Sequence, residues 1–133
     1  MPNRLSAIAR WALVLGWTGL IWYLSSVPDL RSPFPQDFLL RKIAHALEFA
    51  VLALLIFWSL GTNKLRTKNV VRNIVSAALA IIYSGIDEVH QGYVSGRVTS
   101  VKDVTIDLLG ITAGLGAVWA LRRYLVWRMR VSK

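Results

Sequence analysis

Four stretches of the chain are almost wholly apolar, and shorter polar or basic segments separate them. They run over residues 5–25, 42–60, 70–93 and 103–121. Each is near the roughly 20 helical residues needed to cross a hydrocarbon core about 30 Å thick. In lipid every backbone N–H and C=O must be satisfied within the segment, so runs of this length predict helices. The connections are a proline-rich segment holding Pro28, Pro33 and Pro35, a basic one over residues 61–72, and a short polar one over residues 94–102. The pattern therefore predicts an all-α four-helix transmembrane bundle, one domain over residues 1–133. Internal repeats and low-complexity tracts are absent from the sequence.

Composition agrees. Hydrophobic residues make up 55% of 133, and the mean hydropathy is +0.48, too apolar for an ordinary soluble domain of this size. A net charge of +9 would suit nucleic acid, but the basic residues flank the apolar runs and match no nucleic-acid-binding motif. With no cysteine there is neither a disulfide framework nor a thiolate metal site. The first run follows Arg4 and Arg10 as a signal peptide would. It lacks a small-residue cleavage site and carries Trp17, Trp22 and Tyr23, so it is expected to stay as the first helix.

Lys and Arg are unevenly divided. The N-terminus, the second connection and the C-terminus hold 11, the other side 5 (Arg31, Arg41, Lys42, Arg97 and Lys102). The positive-inside rule then makes both termini cytoplasmic. Trp11, Trp58 and Tyr124 mark inner ends, and Trp22, Tyr23 and Tyr93 outer ones. The basic tail after Leu121, interleaved with Tyr124, Leu125, Trp127 and Met129, suits an anionic inner leaflet, although anchoring alone would explain it.

All seven acids (Asp29, Asp37, Glu48, Asp87, Glu88, Asp103, Asp107) and both histidines, His45 and His90, fall at the opposite, outer side. At a rise of about 1.5 Å per residue, Asp87 is expected roughly 9 Å and Asp107 roughly 6 Å inside the boundary. Ionisable groups at such depth are costly and generally face the bundle interior. His45 and Glu48, three residues apart, share a face of the second helix. Ser76, Ala80, Ser84, Asp87 and Gln91 form a small-and-polar stripe on the third, and Asp103, Asp107, Gly110, Gly114 and Ala117 another on the fourth. Small residues permit close helix approach, with Gly110-x-x-x-Gly114 as the seam. The two stripes direct the acids toward one another.

The string Arg41-Lys42-x-x-His45-x-x-Glu48-Phe49 resembles the first motif of the VanZ-like family. A second, Asp87-Glu88-x-His90-Gln91-x-Tyr93-x-Ser95-Gly96-Arg97 followed by Asp103-x-x-x-Asp107-x-x-Gly110-x-x-x-Gly114, resembles the other. Ser95 replaces a frequent proline, and Asp107 stands where Asn is common, adding a charge. The resemblance implies a bacterial cytoplasmic-membrane protein from a family named for low-level glycopeptide (teicoplanin) resistance. A proposed distant kinship with animal-type phosphatidylserine synthases implies lipid head-group chemistry.

On this reading the site comprises His45, Glu48, Asp87, Glu88, Gln91, Arg97 and Asp107, at the outer leaflet, acting on a phosphate-linked lipid head group or a lipid-linked envelope precursor. Arg97 would hold the phosphate in a fork. His45, oriented by Glu48, would serve as base or nucleophile. Asp87, Glu88 and Asp107 would bind a divalent cation or polarise a hydroxyl or water, and Gln91 would hydrogen-bond the substrate. Each has a structural counterpart: His45 an interfacial residue paired with Glu48, the acids a salt-bridge network neutralised by Arg97, Asp103 a capping-box residue with Ser100, His90 a head-group-facing ring. Two other classes of function stay open. A binder or partner subunit could shield envelope targets from the antibiotic. A lipid transporter is disfavoured because residues 12–21, 49–60, 74–84 and 109–121 hold no charged residue or histidine.

Overall fold

The computed structural model describes residues 4–28, 37–62, 69–97 and 99–131. The expectations for Asp29, Arg31, Pro33 and Pro35, for Lys64, Arg66 and Lys68, and for Lys133 lie outside the described residues. Four α-helices make up the fold: α1 Arg4–Ser26, α2 Asp37–Ser59, α3 Asn69–Gln91 and α4 Val101–Val131, with a 3-10 turn at Leu60–Thr62 after α2. Each contains a span long and apolar enough to cross a membrane: Ala7–Ser26, Leu39–Leu60, Asn69–Gln91 and Val101–Val131. The chain is a multi-pass membrane protein.

The helix ends follow local chemistry. α1 stops where Pro28 disfavours helical geometry at Val27, and Val27 N–H closes the last turn on the Leu24 carbonyl at 3.3 Å. α3 ends at Gln91, two residues short of the predicted boundary, because Gly92 opens a run of turns in which Tyr93 and Val94 donate back to His90 and Gln91. Gly96 at φ 79° then reverses the backbone and brings Arg97 back over α1. α2 begins five residues before the predicted start. Arg41 and Lys42 thus lie about one turn inside α2 rather than at its start, and long cationic side chains ride on a helix end with their heads toward water. α4 overruns its predicted end by ten residues, since nothing after Leu121 breaks a helix: the tail has neither Gly nor Pro, and Arg, Leu and Met favour helix.

Successive helices run antiparallel, and the closest packing is between α2 and α4, which run parallel to each other. Gly110 lies against the backbone of Ala46, and Gly114 against Ala50. Phe49, Leu52, Ala53, Ile56 and Phe57 of α2 form the apolar centre with Val14 and Ile21 of α1, Ala80 of α3, and Ile111 and Leu115 of α4. Large apolar side chains such as Leu15, Leu39, Ile74 and Leu109 point outward, as a lipid-facing surface requires. α1 adheres through polar contacts as well: Trp17 Nε1 donates to the Glu48 carbonyl at 2.9 Å, and Tyr83 Oη to the Thr18 carbonyl at 2.6 Å.

Candidate functional site

Residues from all four helices meet at the end of the bundle that holds the acids. The α3 stripe is buried throughout: Ser76, Ala80, Ser84, Asp87 and Gln91. On α4, Asp103, Asp107 and Gly110 are buried, Gly114 is half-buried and Ala117 is exposed, so the stripe turns away from α2 after about three turns. Counted from the observed ends, Asp87 sits about 6 Å and Asp107 about 9 Å inside the helices. The expected order is reversed because α3 ends and α4 starts two residues early.

Asp87 is 1% exposed. Its Oδ2 accepts from Ser25 Oγ at 2.9 Å and from Gln91 Nε2 at 2.8 Å. Gln91 also reaches Ser25 Oγ at 3.3 Å, closing a three-residue ring of hydrogen bonds. Asp107 is equally enclosed; its Oδ2 accepts from Ser84 Oγ at 2.7 Å. Its Oδ1 faces His45 Nδ1 at 3.6 Å, beyond a hydrogen bond but within an ion pair's reach. His45 Nδ1, Asp87 Oδ1 and Asp107 Oδ1 are all buried without a hydrogen-bond partner. Buried polar atoms are nearly always satisfied; two of these three, His45 Nδ1 and Asp107 Oδ1, face each other, which leaves Asp87 Oδ1 as the atom without a facing partner.

The carboxylate facing the imidazole was expected to be that of Glu48. Among the described residues it is that of Asp107, which leaves Nε2 of the ring without a hydrogen bond. Glu48 lies nearby, within electrostatic reach of His45, Asp87, Asp107 and Arg97. A cavity of about 60 Å³ opens between α1 and α2, lined by Ser25, Arg41, His45, Glu48 and Arg97 with Leu24 and Ala44. It has room for one or two water molecules rather than a lipid head group.

Arg97 pairs with none of the acids in ion-pair geometry among the described residues. Its Nη2 donates to the Leu24 carbonyl at 2.7 Å and to the Val27 carbonyl at 3.3 Å, and Nε donates to Val27 at 3.3 Å. It thus closes the C-terminus of α1, where orphan carbonyls and the negative end of the helix dipole favour a cation. The fork is partly used; Nη1 makes no hydrogen bond among the described residues.

Glu88 is buried too, yet it leaves the cluster. Adjacent positions on a helix point about 100° apart, and Glu88 accepts from the Ser100 backbone N–H at the start of α4. That donor is the one a capping box would have satisfied from Asp103, which instead forms an ion pair with Lys42 of α2. The Asp103 N–H still bonds the Ser100 carbonyl at 2.8 Å. His90, expected at the head groups, stacks on Trp22 with ring centroids 3.7 Å apart, and its Nε2 lies 2.9 Å from Ser26 Oγ.

Of the seven predicted residues, His45 and Asp107 touch directly, Asp87 and Gln91 form a second group through Ser25, Glu48 and Arg97 border the cavity, and Glu88 holds α4. Among the described residues no three His, Asp or Glu side chains converge closely enough to hold one metal ion. Ser25 was not foreseen. The signal existed: Val14, Ile21 and Ser25 are spaced by seven and four, so the buried face of α1 leads straight to it. The profile of the VanZ/LLP1 family matches residues 5–122, which takes in all four helices. No curated protein and no solved structure matches the chain.

Proposed function

The chain belongs to the VanZ/LLP1 family, and from that premise we propose that it acts on the phosphate-linked head groups of membrane lipids or of lipid-linked envelope precursors. The acidic end faces outward from the bacterial cytoplasmic membrane, on the 11-to-5 division of Lys and Arg. The observation that carries the reading is the buried His45–Asp107 pair, which leaves Nε2 of the ring without a partner beside a small cavity bordered by two arginines.

Asp107, itself oriented by Ser84, faces Nδ1 at ion-pair distance and favours the proton on that nitrogen. Nε2 is then the basic atom. It takes a proton from a water or hydroxyl as that oxygen attacks phosphorus, and returns it to the departing head-group oxygen. The cavity has water-sized room, so the head group docks at its mouth and the attacking water occupies it. Arg97 meets the phosphate through Nη1 rather than through a full fork, since its other nitrogens hold α1; Arg41 borders the same opening. Asp87, with Gln91 and Ser25, fixes the wall facing α1.

The test uses the full chain reconstituted in phosphatidylethanolamine–phosphatidylglycerol vesicles doped with a polyprenyl diphosphate. Phosphorus NMR and mass spectrometry follow release or exchange of head groups. His45→Gln removes the base at nearly constant volume and should slow turnover by about 100-fold or more, with Asp107→Asn intermediate and both proteins melting close to the parent. Hydrolysis and transfer separate by whether the free head group or a new ester accumulates. A well-folded His45→Gln protein with undiminished turnover would remove the base from the scheme and defeat the proposal.

A further inference from the structure

A cavity larger than the one beside His45 lies at the other end of the bundle. It measures about 730 Å³ and opens between α2, the start of α3 and the overhanging part of α4. Its lining includes the apolar side chains of Phe57, Val118 and Trp119 together with Arg122, Arg123 and Arg130. The arginines are arrayed rather than scattered. Arg72 and Arg122 both lie over the Phe57 ring, at 4.1 and 4.8 Å from its centroid, and Arg123 lies over Trp119 at 5.0 Å. Asn69 Oδ1 accepts from Arg122 Nη1 at 2.8 Å and fixes its plane.

No carboxylate comes within ion-pair distance of these guanidinium groups among the described residues, and every acid in the sequence falls near the opposite end of the helices or in the connection there. Arginines set at fixed positions without counter-ions select for an anion. Asn73 lines the same cavity with its side-chain oxygen buried and without a donor. Apolar side chains that would accept acyl chains, guanidinium groups that would accept phosphate, and an amide acceptor awaiting a hydroxyl describe one kind of occupant.

We propose that this groove is a binding site for an anionic phospholipid of the leaflet bordering the basic end, with its phosphate on Arg122 and Arg123, a head-group hydroxyl on Asn73 and its tails along Phe57, Val118 and Trp119. The site is separate from the His45–Asp107 cluster and does not depend on it.

Native mass spectrometry of the full chain in neutral detergent, titrated with dioleoyl phosphatidylglycerol or dioleoyl phosphatidylcholine, tests the idea. Phosphatidylglycerol should bind at least about tenfold more tightly. At about fivefold per arginine near a membrane surface, Arg122→Gln and Arg123→Gln should each remove about that much of the preference. Both are exposed, so neither substitution threatens folding. Arg128→Gln, on the same helix but outside the groove, should change binding less than twofold. Equal losses at Arg128 and Arg122 would mean a diffuse positive field and would overturn the site. Displacement of phosphatidylglycerol by millimolar glycerol 3-phosphate would mean that the arginines take a soluble phosphate, and would equally overturn a lipid site.

Discussion

Replacing Gly110 by alanine adds a single methyl group at the point where α4 touches α2. That Cβ would stand 2.7 Å from the Ala46 carbonyl carbon and 2.8 Å from its Cα, and closer still to the carbonyl oxygen. All three are backbone atoms of a helix, so no side chain can swing aside. Restoring ordinary contact at about 3.5 Å or more requires the two helices to part by roughly 1 Å. Overpacking of this kind costs about 1–3 kcal/mol, and because α2–α4 is the main interface the upper part of that range is expected. Gly114→Ala makes the control: its Cβ would meet Ala50 at 3.3 to 3.5 Å, which a few tenths of an ångström relieves, so the loss should stay below about 1 kcal/mol. Unfolding of both variants in mixed micelles, followed by tryptophan fluorescence against rising dodecyl sulfate, gives the comparison. Parting α2 from α4 also widens the gap between His45, next to Ala46, and Asp107, three residues before Gly110. Gly110→Ala should therefore lose activity as well as stability. Equal stability of the two variants would refute the reasoning, since it would mean that the interface yields freely where the backbones meet.

Two further outcomes are expected. Glu88→Gln keeps an oxygen able to accept from the Ser100 N–H and should unfold near the parent, whereas Glu88→Ala strands that donor and should lose about 1–3 kcal/mol in the same assay. For topology, single cysteines at the exposed positions Thr99 and Val131 should react with a membrane-impermeant maleimide from opposite sides of intact cells, with Thr99 labelled from outside; labelling of Val131 alone would invert the bundle.

The four helices and the gathering of acids at one end were legible because both are properties of single segments. Apolar length and the i, i+3, i+4 spacing of Ser76, Ala80, Ser84, Asp87 and Gln91 depend on one helix at a time, and that stripe is buried along its whole length. The pairing within the cluster was not legible. Glu48 is the obvious neighbour of His45 by sequence, but which side chain the imidazole faces depends on how far α4 is shifted along α2, and that register is set by the fit of Gly110 on Ala46. The contacts of Arg97 with α1 were not legible either, for a related reason. Its charge suggested an acid or a phosphate, while the turn at Gly96 carries it to the carbonyls closing α1, and backbone carbonyls leave no trace in a sequence. The overrun of α4 shows the limit of hydropathy as a boundary signal: Arg122 ends the apolar run without ending the helix.

The partners that the buried carboxylates find on other helices also stand in a particular order along the chain. Ser25 on α1 precedes Asp87, Lys42 precedes Asp103, and both His45 and Ser84 precede Asp107. In a chain delivered to the membrane from its N-terminus, each of these three carboxylates therefore enters after its partner on another helix is already there. A lone carboxylate in lipid is costly, whereas serine hydroxyls waiting on α1 and α3 are cheap to hold, because a helical serine can bond a carbonyl one turn back, as Ser26 does to Trp22 at 2.7 Å. The bundle can thus be assembled in the order of its synthesis without Asp87, Asp103 or Asp107 having to wait unpartnered for a helix still to be made.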